Sequence, residues 1–255
     1  MICLQDLRVD LGGKTVLQPL SLNLPRGQVT AVIGPNGAGK SSLMRAIAGL
    51  LPATSGTVML DGVPLPQLSS RDRAQRIGYL PQSAGPAWAI TVREMVALGR
   101  LPHQNSMAGP SAADVCAIDQ ALADADLHAL ADRRVDTLSG GELARAAFAR
   151  VLAGQSDWIL ADEPLANLDP AHQRDVLRLL RSAADMGKGV VVVLHELTAA
   201  AALANDILLL KHGARVAAGP KDTVLTPPLL SAAFDIAMDV VQSEGRVAIL
   251  PHDPV

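Results

Sequence analysis

The stretch Gly34-Pro35-Asn36-Gly37-Ala38-Gly39-Lys40-Ser41 decides the fold of this chain. It has the form G-x-x-x-x-G-K-[ST], in which a glycine-rich turn joins a strand to a helix. The run before it, 29–33 (VTAVI), is apolar and β-branched, which predicts a buried strand. After it, apolar residues recur at helical spacing over 42–51. Strand, turn and helix therefore follow one another in the order that a phosphate-binding loop needs.

Each residue type in this loop has a predicted use. Glycines let the backbone turn several N–H groups toward one anion, and the helix start adds the positive end of its dipole. Lys40 is expected to reach the β- and γ-phosphates and Ser41 to hold Mg²⁺, with Ser42 completing the nucleotide-binding segment. The alternative is a glycine-rich turn that merely starts a helix, and the flanking strand and helix argue against it.

Length and composition suit one large α/β domain, or a domain with a subdomain. The chain has 255 residues, of which 49% are hydrophobic, so a sizeable core is available. The net charge is −3 with scattered lysines and arginines, so composition gives no case for nucleic-acid binding. Aromatic residues make up only 2% of the chain, which argues further against an RNA-stacking surface.

Nothing in the sequence predicts secretion or a membrane span. Cys3 and Cys116 have neither pairing nor metal-ligand spacing, as expected of free thiols in a reducing compartment. The first residues lack the charged and apolar regions of a signal peptide, and polar residues such as His195 interrupt the apolar stretch 190–210. We expect a cytoplasmic protein whose membrane contact runs through a partner.

The sequence pattern changes twice along the chain. In the first part, short apolar runs alternate with turns, which predicts strands. From about Ser83 the strand pattern disappears until Trp158, and Thr91 and Ser139 are placed to cap helices. Strand and helix patterns alternate again after that. We expect an α/β core formed by 1–82 and 156–255, with a helical subdomain inserted over 83–155.

Two acids end a predicted central strand. In 158–163 (WILADE), Asp162 and Glu163 fall at the C-terminal tip of the strand, which in a parallel sheet lies beside the phosphate loop. Asp162 would hold Mg²⁺ opposite Ser41, and Glu163 could polarise a water for in-line attack on the γ-phosphate. Taken alone, the strand could simply end in a polar turn before Pro164. The phosphate loop favours the catalytic interpretation.

A second candidate anion site lies at the start of a long helix. In 138–142 (LSGGE), Ser139 is placed as the N-cap, and Gly140, Gly141 and Glu142 follow, which would leave several N–H groups exposed. An ordinary capped helix is the alternative. The anion site is favoured because the chain then carries two phosphate-binding helix starts, one in each subdomain.

Gln82 and His195 both follow predicted strands, at the sheet edge where the acids and the phosphate loop are expected. Each has a plain alternative, a surface amide for Gln82 and a structural histidine for His195. Their shared position makes both of them candidate site residues.

Together these motifs resemble those of the ATP-binding subunits of ABC transporters. Residues 34–41 are similar to Walker A, 138–142 to the LSGGQ signature, and 158–163 to Walker B with its catalytic glutamate. Gln82 resembles the Q-loop glutamine and His195 the switch histidine. The order and spacing of the motifs fit over essentially the whole chain.

The resemblance implies a fold and an assembly. The expected fold is α/β, a P-loop NTPase core with a mixed sheet, an antiparallel β subdomain and an inserted helical subdomain. Residues 168–169 resemble the D-loop. Two copies would form a head-to-tail homodimer, in which ATP on one copy's 34–42 is closed over by the other copy's 139–142.

The resemblance also implies catalytic roles. Glu163 would activate the attacking water, Lys40 would act at the phosphates, and His195 would contact the γ-phosphate. Gln82 would join Ser41 and Asp162 in holding Mg²⁺. It would also connect the metal to the surface that meets the membrane subunits.

A finer resemblance concerns 91–103 (TVREMVALGRLPH), which is similar to a run in the ATPases of iron–siderophore, haem and vitamin B12 importers. Residues 229–236 also look like the tail of that subfamily. The resemblance implies a multi-span permease docked near Gln82 and 91–103, with a substrate-binding protein involved indirectly, at the cytoplasmic face of the bacterial inner membrane. The side chains of Arg100 and His103 are either part of this docking site or a solvated helix end and loop.

Three residues depart from the family pattern. Leu11 stands where an adenine-stacking aromatic is usual, so the preference for one base is open. Glu142 replaces the usual glutamine of the signature, which is common in importer ATPases. Ala144 replaces a residue that is often polar, so a contact toward the partner's ribose would be missing. None of these touches the phosphate chemistry.

Two other functions compete with an importer ATPase. A soluble, non-transport member of the same class usually carries two such domains, a long coiled coil or basic insertions, and this sequence has none of these. A kinase or GTPase would have no use for 139–142 at a helix start. The sequence does not distinguish haem, siderophore and cobalamin as cargo.

Overall fold

Strands and helices follow one another as the sequence pattern predicts. The computed structural model describes residues 1–82, 89–104, 109–243 and 246–252. The strands are β1 (Ile2–Leu11), β2 (Lys14–Leu24), β3 (Val29–Ile33), β4 (Ser55–Leu60), β5 (Val63–Pro64), β6 (Ile77–Leu80), β7 (Trp158–Asp162), β8 (Gly189–Val193), β9 (Asp206–Lys211), β10 (Ala214–Pro220), β11 (Met238–Ser243) and β12 (Arg246–Pro251). The α-helices are α1 (Lys40–Ile47), α2 (Ser70–Arg76), α3 (Val92–Ala97), α4 (Ala112–Asp124), α5 (Gly140–Ala153), α6 (Pro170–Asp185), α7 (Leu197–Leu203), α8 (Lys221–Val224) and α9 (Pro227–Phe234). Single 3₁₀ turns lie at Leu65–Gln67, Leu98–Arg100, His128–Leu130 and Val135–Thr137.

The strand before the phosphate loop lies inside a six-stranded sheet. The strand order is β10-β9-β3-β8-β7-β6, parallel from β9 to β6 and antiparallel between β10 and β9. Strands β3, β7 and β8 are buried along their whole length. Burial on both faces explains why these strands appear in the sequence as continuous apolar runs. The predicted mixed sheet is thus confirmed.

The segments that follow the parallel strands leave the sheet at one edge. The register pairs Leu80 with Ala161 and Asp162 with Val193, so β6, β7 and β8 end side by side. Because parallel strands share a direction, the phosphate loop after β3 leaves the sheet at the same edge. This topology assembles the candidate site.

A second sheet covers the first helix. Its strand order is β2-β1-β4-β5 and all its pairs are antiparallel, as the predicted antiparallel β subdomain requires. One buried core joins Leu7 and Leu17 of this sheet to Leu43 of α1 and Leu208 of β9. Helix α1, which begins in the phosphate loop, is therefore packed into a core shared by both sheets.

The segment between β6 and β7 is helical. Its described part contains helices and one isolated bridge, Thr91 with Arg134, but no strand. Helices α3, α4 and α5 each begin with a capping box, in which the N-cap side chain and the third helical residue bond each other's backbone amides. Residues 83–88, where the predicted subdomain begins, and 105–108 of the predicted loop lie outside the described residues.

Two helices differ from their predicted bounds for reasons visible in the backbone. Helix α1 begins at Lys40, before the predicted 42, because Gly39 adopts φ 93° and serves as the N-cap. The Ala- and Asp-rich run 111–130 predicts one helix, but α4 ends at Asp124, because Asp126 adopts φ 52° and the chain turns out of the helix.

The C-terminal hairpin β11–β12 forms a two-stranded sheet apart from the other two. It packs on α7, where the amide of Ile249 donates to the Thr198 hydroxyl at 3.2 Å. In the part of the chain that the structure covers, we find no helix with the length and apolar character needed to cross a bilayer.

Candidate active site

Glycines give the phosphate loop its shape. Gly34 has φ 146°, Gly37 has φ 77° and Gly39 has φ 93°, backbone conformations that side chains disfavour. A Cβ at Gly34 would overlap the carbonyl oxygen of Leu210, and one at Gly39 would overlap that of Val16. The loop is therefore wedged between β9 and β2 in a position that only glycine permits.

Lys40 lies inside this loop. Its side chain is almost fully buried, and Nζ donates to the carbonyl oxygens of Gly34 at 2.8 Å and Pro35 at 3.0 Å. Burial lowers the pKa of Lys40, and the nearby carboxylates of Glu163 and Asp162 oppose that shift. The ammonium group holds the two ends of the turn together and lies where a phosphate entering the loop would meet it.

Asp162 is buried behind the loop and hydrogen-bonded on both oxygens. Ser41 Oγ donates to Oδ1 at 3.1 Å, and the Tyr79 hydroxyl donates to Oδ2 at 3.2 Å. Burial raises the pKa of Asp162, and these two hydrogen bonds act in the opposite direction. Sequence reasoning missed Tyr79. Its signal was its place on β6, the strand that ends just before Gln82.

Ser41 and Asp162 suit a hard cation such as Mg²⁺. Both offer oxygen ligands, and they already touch each other. Among the residues that the structure describes, no three or more histidine, cysteine, aspartate or glutamate side chains cluster into a metal site. A site with few protein ligands is the usual arrangement when phosphate oxygens and waters supply the rest of the coordination.

Glu163 is held between two other predicted site residues. Gln82 Nε2 donates to Oε2 of this carboxylate, and His195 Nε2 lies 2.6 Å from Oε1. Glu163 also adopts φ 52°, an unfavourable conformation for a residue with a side chain. The sharp turn after β7 thus places both carboxylate oxygens against side chains that follow β6 and β8.

A cleft of about 250 Å³ opens at the loop. It is lined by Val16, residues 36–42 and Glu163, so the carboxylate faces the space where the phosphates are predicted to lie. Within the described residues, none of 139–142 lines this cleft. The second helix start is thus absent from the loop cleft, but its Gly140 lines a neighbouring cleft together with Gln82 and Glu163.

At the second helix start, fewer backbone amides are free to bind an anion than the sequence indicates. The amide of Ser139 donates to Glu142 Oε2 at 2.8 Å, and the amide of Glu142 donates to Ser139 Oγ at 3.3 Å. Hydrogen bonds from the Ser139 amide and then from its side chain to the carboxylate hold the pKa of Glu142 below its usual value. Of the several N–H groups predicted to be exposed, those of Gly140 and Gly141 take no part in this capping box, and of these two residues Gly140 is exposed and Gly141 is buried.

Arg100 has a role that the sequence analysis did not foresee. The guanidinium is buried, with Nε 2.8 Å from Asp114 Oδ1 and Nη1 2.9 Å from the carbonyl oxygen of Ala153. His103 Nε2 lies 2.9 Å from the carbonyl oxygen of Gly154. For Arg100, both the solvated helix end and the surface contact with a partner are wrong. It ties the turn after α3 to the start of α4 and the end of α5.

Leu11 lies at the end of β1 and is 43% exposed. From the same hairpin, Val16 reaches the wall of the loop cleft, a contact that no motif indicated. The structure thus places an aliphatic side chain, and no aromatic ring, on this side of the loop.

The comparisons with known proteins agree on one family. A family model described as ABC transporter matches residues 17–166. The chain is 42% identical over 250 residues to the hemin import ATP-binding protein HmuV of Streptomyces coelicolor, covering 96% of this chain and 88% of that protein. It is 43% identical over 241 residues to the protein of the same name from Pseudomonas entomophila, covering 92% and 93%.

Two solved structures extend this likeness to the fold. One is described as an inward-facing conformation of a metal-chelate type ABC transporter, with a TM-score of 0.86, 29% identity and coverage of 99% of this chain and 97% of that one. The other is the dimeric post-hydrolysis state of an ATP-binding cassette bound to ADP and Pi, with a TM-score of 0.75, 28% identity and coverage of 86% and 98%.

Proposed function

Because this chain belongs to the ABC transporter family, we propose that it hydrolyses ATP to power import of a metal chelate through a transmembrane permease. Iron–siderophore, haem and cobalamin are the chelates that the sequence left open. Haem is the first to test, since relatives at 42% and 43% identity are named hemin import proteins. The observation that carries the ATPase assignment is the contact of Glu163 with Gln82 and His195 at the mouth of the loop cleft.

Residues 34–42 bind the phosphates of ATP in this proposal. The loop amides and the start of α1 supply donors and a positive dipole end, and Lys40 exchanges its two backbone carbonyls for phosphate oxygens. Ser41 and Asp162 hold Mg²⁺, with Tyr79 orienting the carboxylate from behind. The metal, when bound, neutralises charge on the phosphate oxygens.

Glu163 acts as the general base. The oxygen of a water attacks the γ-phosphorus in line with the departing ADP, and one proton of that water passes to the carboxylate. His195 and Gln82 fix the two carboxylate oxygens, so that the base has one orientation. Gln82 in this role contacts Glu163, and its predicted part in holding Mg²⁺ stays a prediction.

The lid of the site comes from a second copy of the chain. Residues 139–142 of one copy close over ATP held by 34–42 of the other, with the Gly140 and Gly141 amides as the remaining donors. This is supported by the absence of 139–142 from the lining of the loop cleft in the described part of one chain. In the same proposal, the α/β core comprises 1–82 and 156–255, the helical subdomain comprises 83–155, and the permease docks near Gln82 and 91–103 on the cytoplasmic side.

Glu163→Gln tests the hydrolytic assignment. The substitution keeps the size of the side chain and removes the base, so we expect the hydrolysis rate to fall at least about a hundredfold while ATP affinity is kept. Phosphate release and equilibrium ATP binding measure the two effects. Lys40→Ala is the matched comparison, since it should lose ATP affinity as well. Undiminished hydrolysis in either variant contradicts the assignment.

The cargo is tested on the assembled transporter. The chain and its permease are reconstituted in liposomes with haem, a ferric siderophore or cobalamin and the matching binding protein. We expect ATP-dependent uptake of one chelate, abolished by Glu163→Gln in the same preparation. Uptake of none of the three, in vesicles where ATP is hydrolysed, contradicts the metal-chelate assignment.

A further inference from the structure

One side chain that belongs to none of the motifs packs against residues 139–142 at the start of α5. His172 lies in the first turn of α6, and its ring lies so close to Gly141 that a Cβ on Gly141 would overlap ring atoms Cδ2 and Nε2. Gly141 is buried and has ordinary helical φ, so the ring accounts for the glycine there and the backbone conformation does not.

The ring of His172 is fixed from its other edge. Nδ1 lies 2.7 Å from Oδ2 of Asp169, which caps α6 by accepting the amides of Ala171 and His172 at 3.0 Å. Because a carboxylate only accepts, Nδ1 carries the proton and donates. The ring therefore joins the cap of α6 to the start of α5.

The same turn of α6 also contacts the residue that follows the histidine of the candidate site. Gln173 Nε2 donates to Glu196 Oε1 at 2.8 Å, and Glu196 directly follows His195. One helical turn thus contacts both the lid segment, which serves a partner's ATP in the proposed function, and the loop that carries His195 in its own chain.

We propose that His172 is a positioning residue for the lid: its ring holds Gly141, and with it the Gly140–Gly141 amides, at the orientation needed to close over ATP on a second copy. This inference rests on the two-copy ATPase proposed above. It adds a residue that makes no contact with nucleotide and acts through the placement of 139–142 relative to α6.

The test measures ATP-driven dimerisation in the Glu163→Gln background, where ATP is not consumed. Light scattering gives the ATP concentration for half-maximal dimer, and titration of dilute, monomeric chain gives its ATP affinity. Adding His172→Ala should raise the half-maximal concentration about tenfold and leave monomer affinity unchanged, because the loop at 34–42 is intact. Arg178→Ala, an exposed change on the same helix, is the matched control and should change neither value.

A second pair of variants separates positioning from general loss of stability. Gly141→Ala alone should impair dimerisation strongly, because its methyl group collides with the ring. In combination with His172→Ala, the loss should be smaller than the sum of the two single losses, since the space is then free. Additive losses contradict the proposed contact.

Amide hydrogen exchange distinguishes a local change at 139–142 from a general loss of folding. In the full-length chain, His172→Ala should speed exchange at 139–142 while α4 keeps its protection. The proposal is wrong if exchange at 139–142 is unchanged, or if half-maximal dimerisation needs the same ATP concentration with and without His172. If the Glu163→Gln chain never dimerises at any ATP concentration, the two-copy function fails instead.

Discussion

The two buried charged side chains of the site are stabilised by hydrogen bonds to a few individual neighbours. The side chains of Lys40 and Asp162 are both buried. Burial favours the neutral form of each, so it lowers the pKa of Lys40 and raises the pKa of Asp162. Two backbone carbonyls accept hydrogen bonds from the lysine, and the hydroxyls of Ser41 and Tyr79 donate to the carboxylate. These bonds replace the hydrogen bonds to water that burial removes. Removing one of these neighbours would leave a single hydrogen bond to offset the cost of burying the charge.

The side chain of Leu11 leads to a prediction about which nucleotide base the chain prefers. An aliphatic side chain offers the base no stacking surface, so the wild-type chain should bind ATP and GTP with similar affinity. Leu11→Tyr should tighten ATP binding about tenfold, because stacking on an aromatic ring contributes about 1–3 kcal/mol per base. Competition binding of the two nucleotides measures this. Leu50→Tyr, at another exposed leucine, is the control and should have no effect. An unchanged ATP affinity in Leu11→Tyr would mean that this hairpin does not cover the base.

The helices between β6 and β7 depend on one buried ion pair. Arg100 and Asp114 bond each other away from water, and Asp114 also accepts from the Ser111 amide and hydroxyl. The carboxylate is thus both the third residue of a capping box and the partner of a buried guanidinium. These contacts join α4 to the turn at Leu98–Arg100, so the conformation of the 91–103 segment depends on α4.

Arg100→Met measures how much the buried ion pair contributes to the stability of these helices. Removing one partner of a buried pair leaves the other uncompensated, and we expect a loss of about 3 kcal/mol in the free energy of unfolding. Urea unfolding followed by circular dichroism measures it. Arg134→Met removes an exposed arginine that pairs with Asp136, and it should cost far less. Equal losses in the two variants contradict a special role for the buried pair.

The same pair predicts a pH dependence. Hydrogen bonds from Arg100 and then from Ser111 lower the pKa of Asp114 to about 2, below the ordinary value of an unfolded aspartate. A depressed pKa contributes stability above the unfolded value, and this contribution is lost as pH falls from about 4 toward 2. The free energy of unfolding should therefore fall more steeply in this window for the wild type than for Arg100→Met. Parallel pH profiles contradict the assignment.

Local signals in the sequence predicted elements well and side-chain partners poorly. The caps at Thr91 and Ser139 were predicted because an N-cap bonds within its own helical turn. Tyr79 on Asp162 and Arg100 on Asp114 were missed, because these partners meet only when distant segments pack. The edge that gathers Gln82, Glu163 and His195 was predicted because strand direction alone determines it.

At the scale of the whole molecule, one chain holds two half-sites. The loop cleft contains groups that we propose for phosphate binding and hydrolysis, while Gly140, at the start of α5, lines a neighbouring cleft and not the loop cleft itself. A two-fold symmetric pair of chains would use both halves twice, since a patch that contacts its partner is contacted in return.

Mixing two inactive variants tests this arrangement. Lys40→Ala disables the loop, and Gly140→Asp places a carboxylate in open space at the lid without disturbing its own chain. Each alone should be inactive, but a mixed pair has one intact site, so an equal mixture should recover about a quarter of wild-type ATPase activity. The ATPase rate of the mixture, compared with that of each variant alone, measures this. A mixture no more active than its components contradicts the two-copy site.

The contacts of Lys40 with its own loop have a consequence for selectivity inside a cell. Two charge-assisted hydrogen bonds, worth about 1.5–3 kcal/mol each, occupy two of the three N–H donors of this ammonium group, so an anion must displace them before it can use more than one donor. The loop therefore contains an internal competitor. A triphosphate makes contacts along the whole turn that a lone inorganic phosphate or sulfate is too short to make, so the competition favours the nucleotide. Free phosphate at ordinary concentrations should thus leave the loop available for the nucleotide.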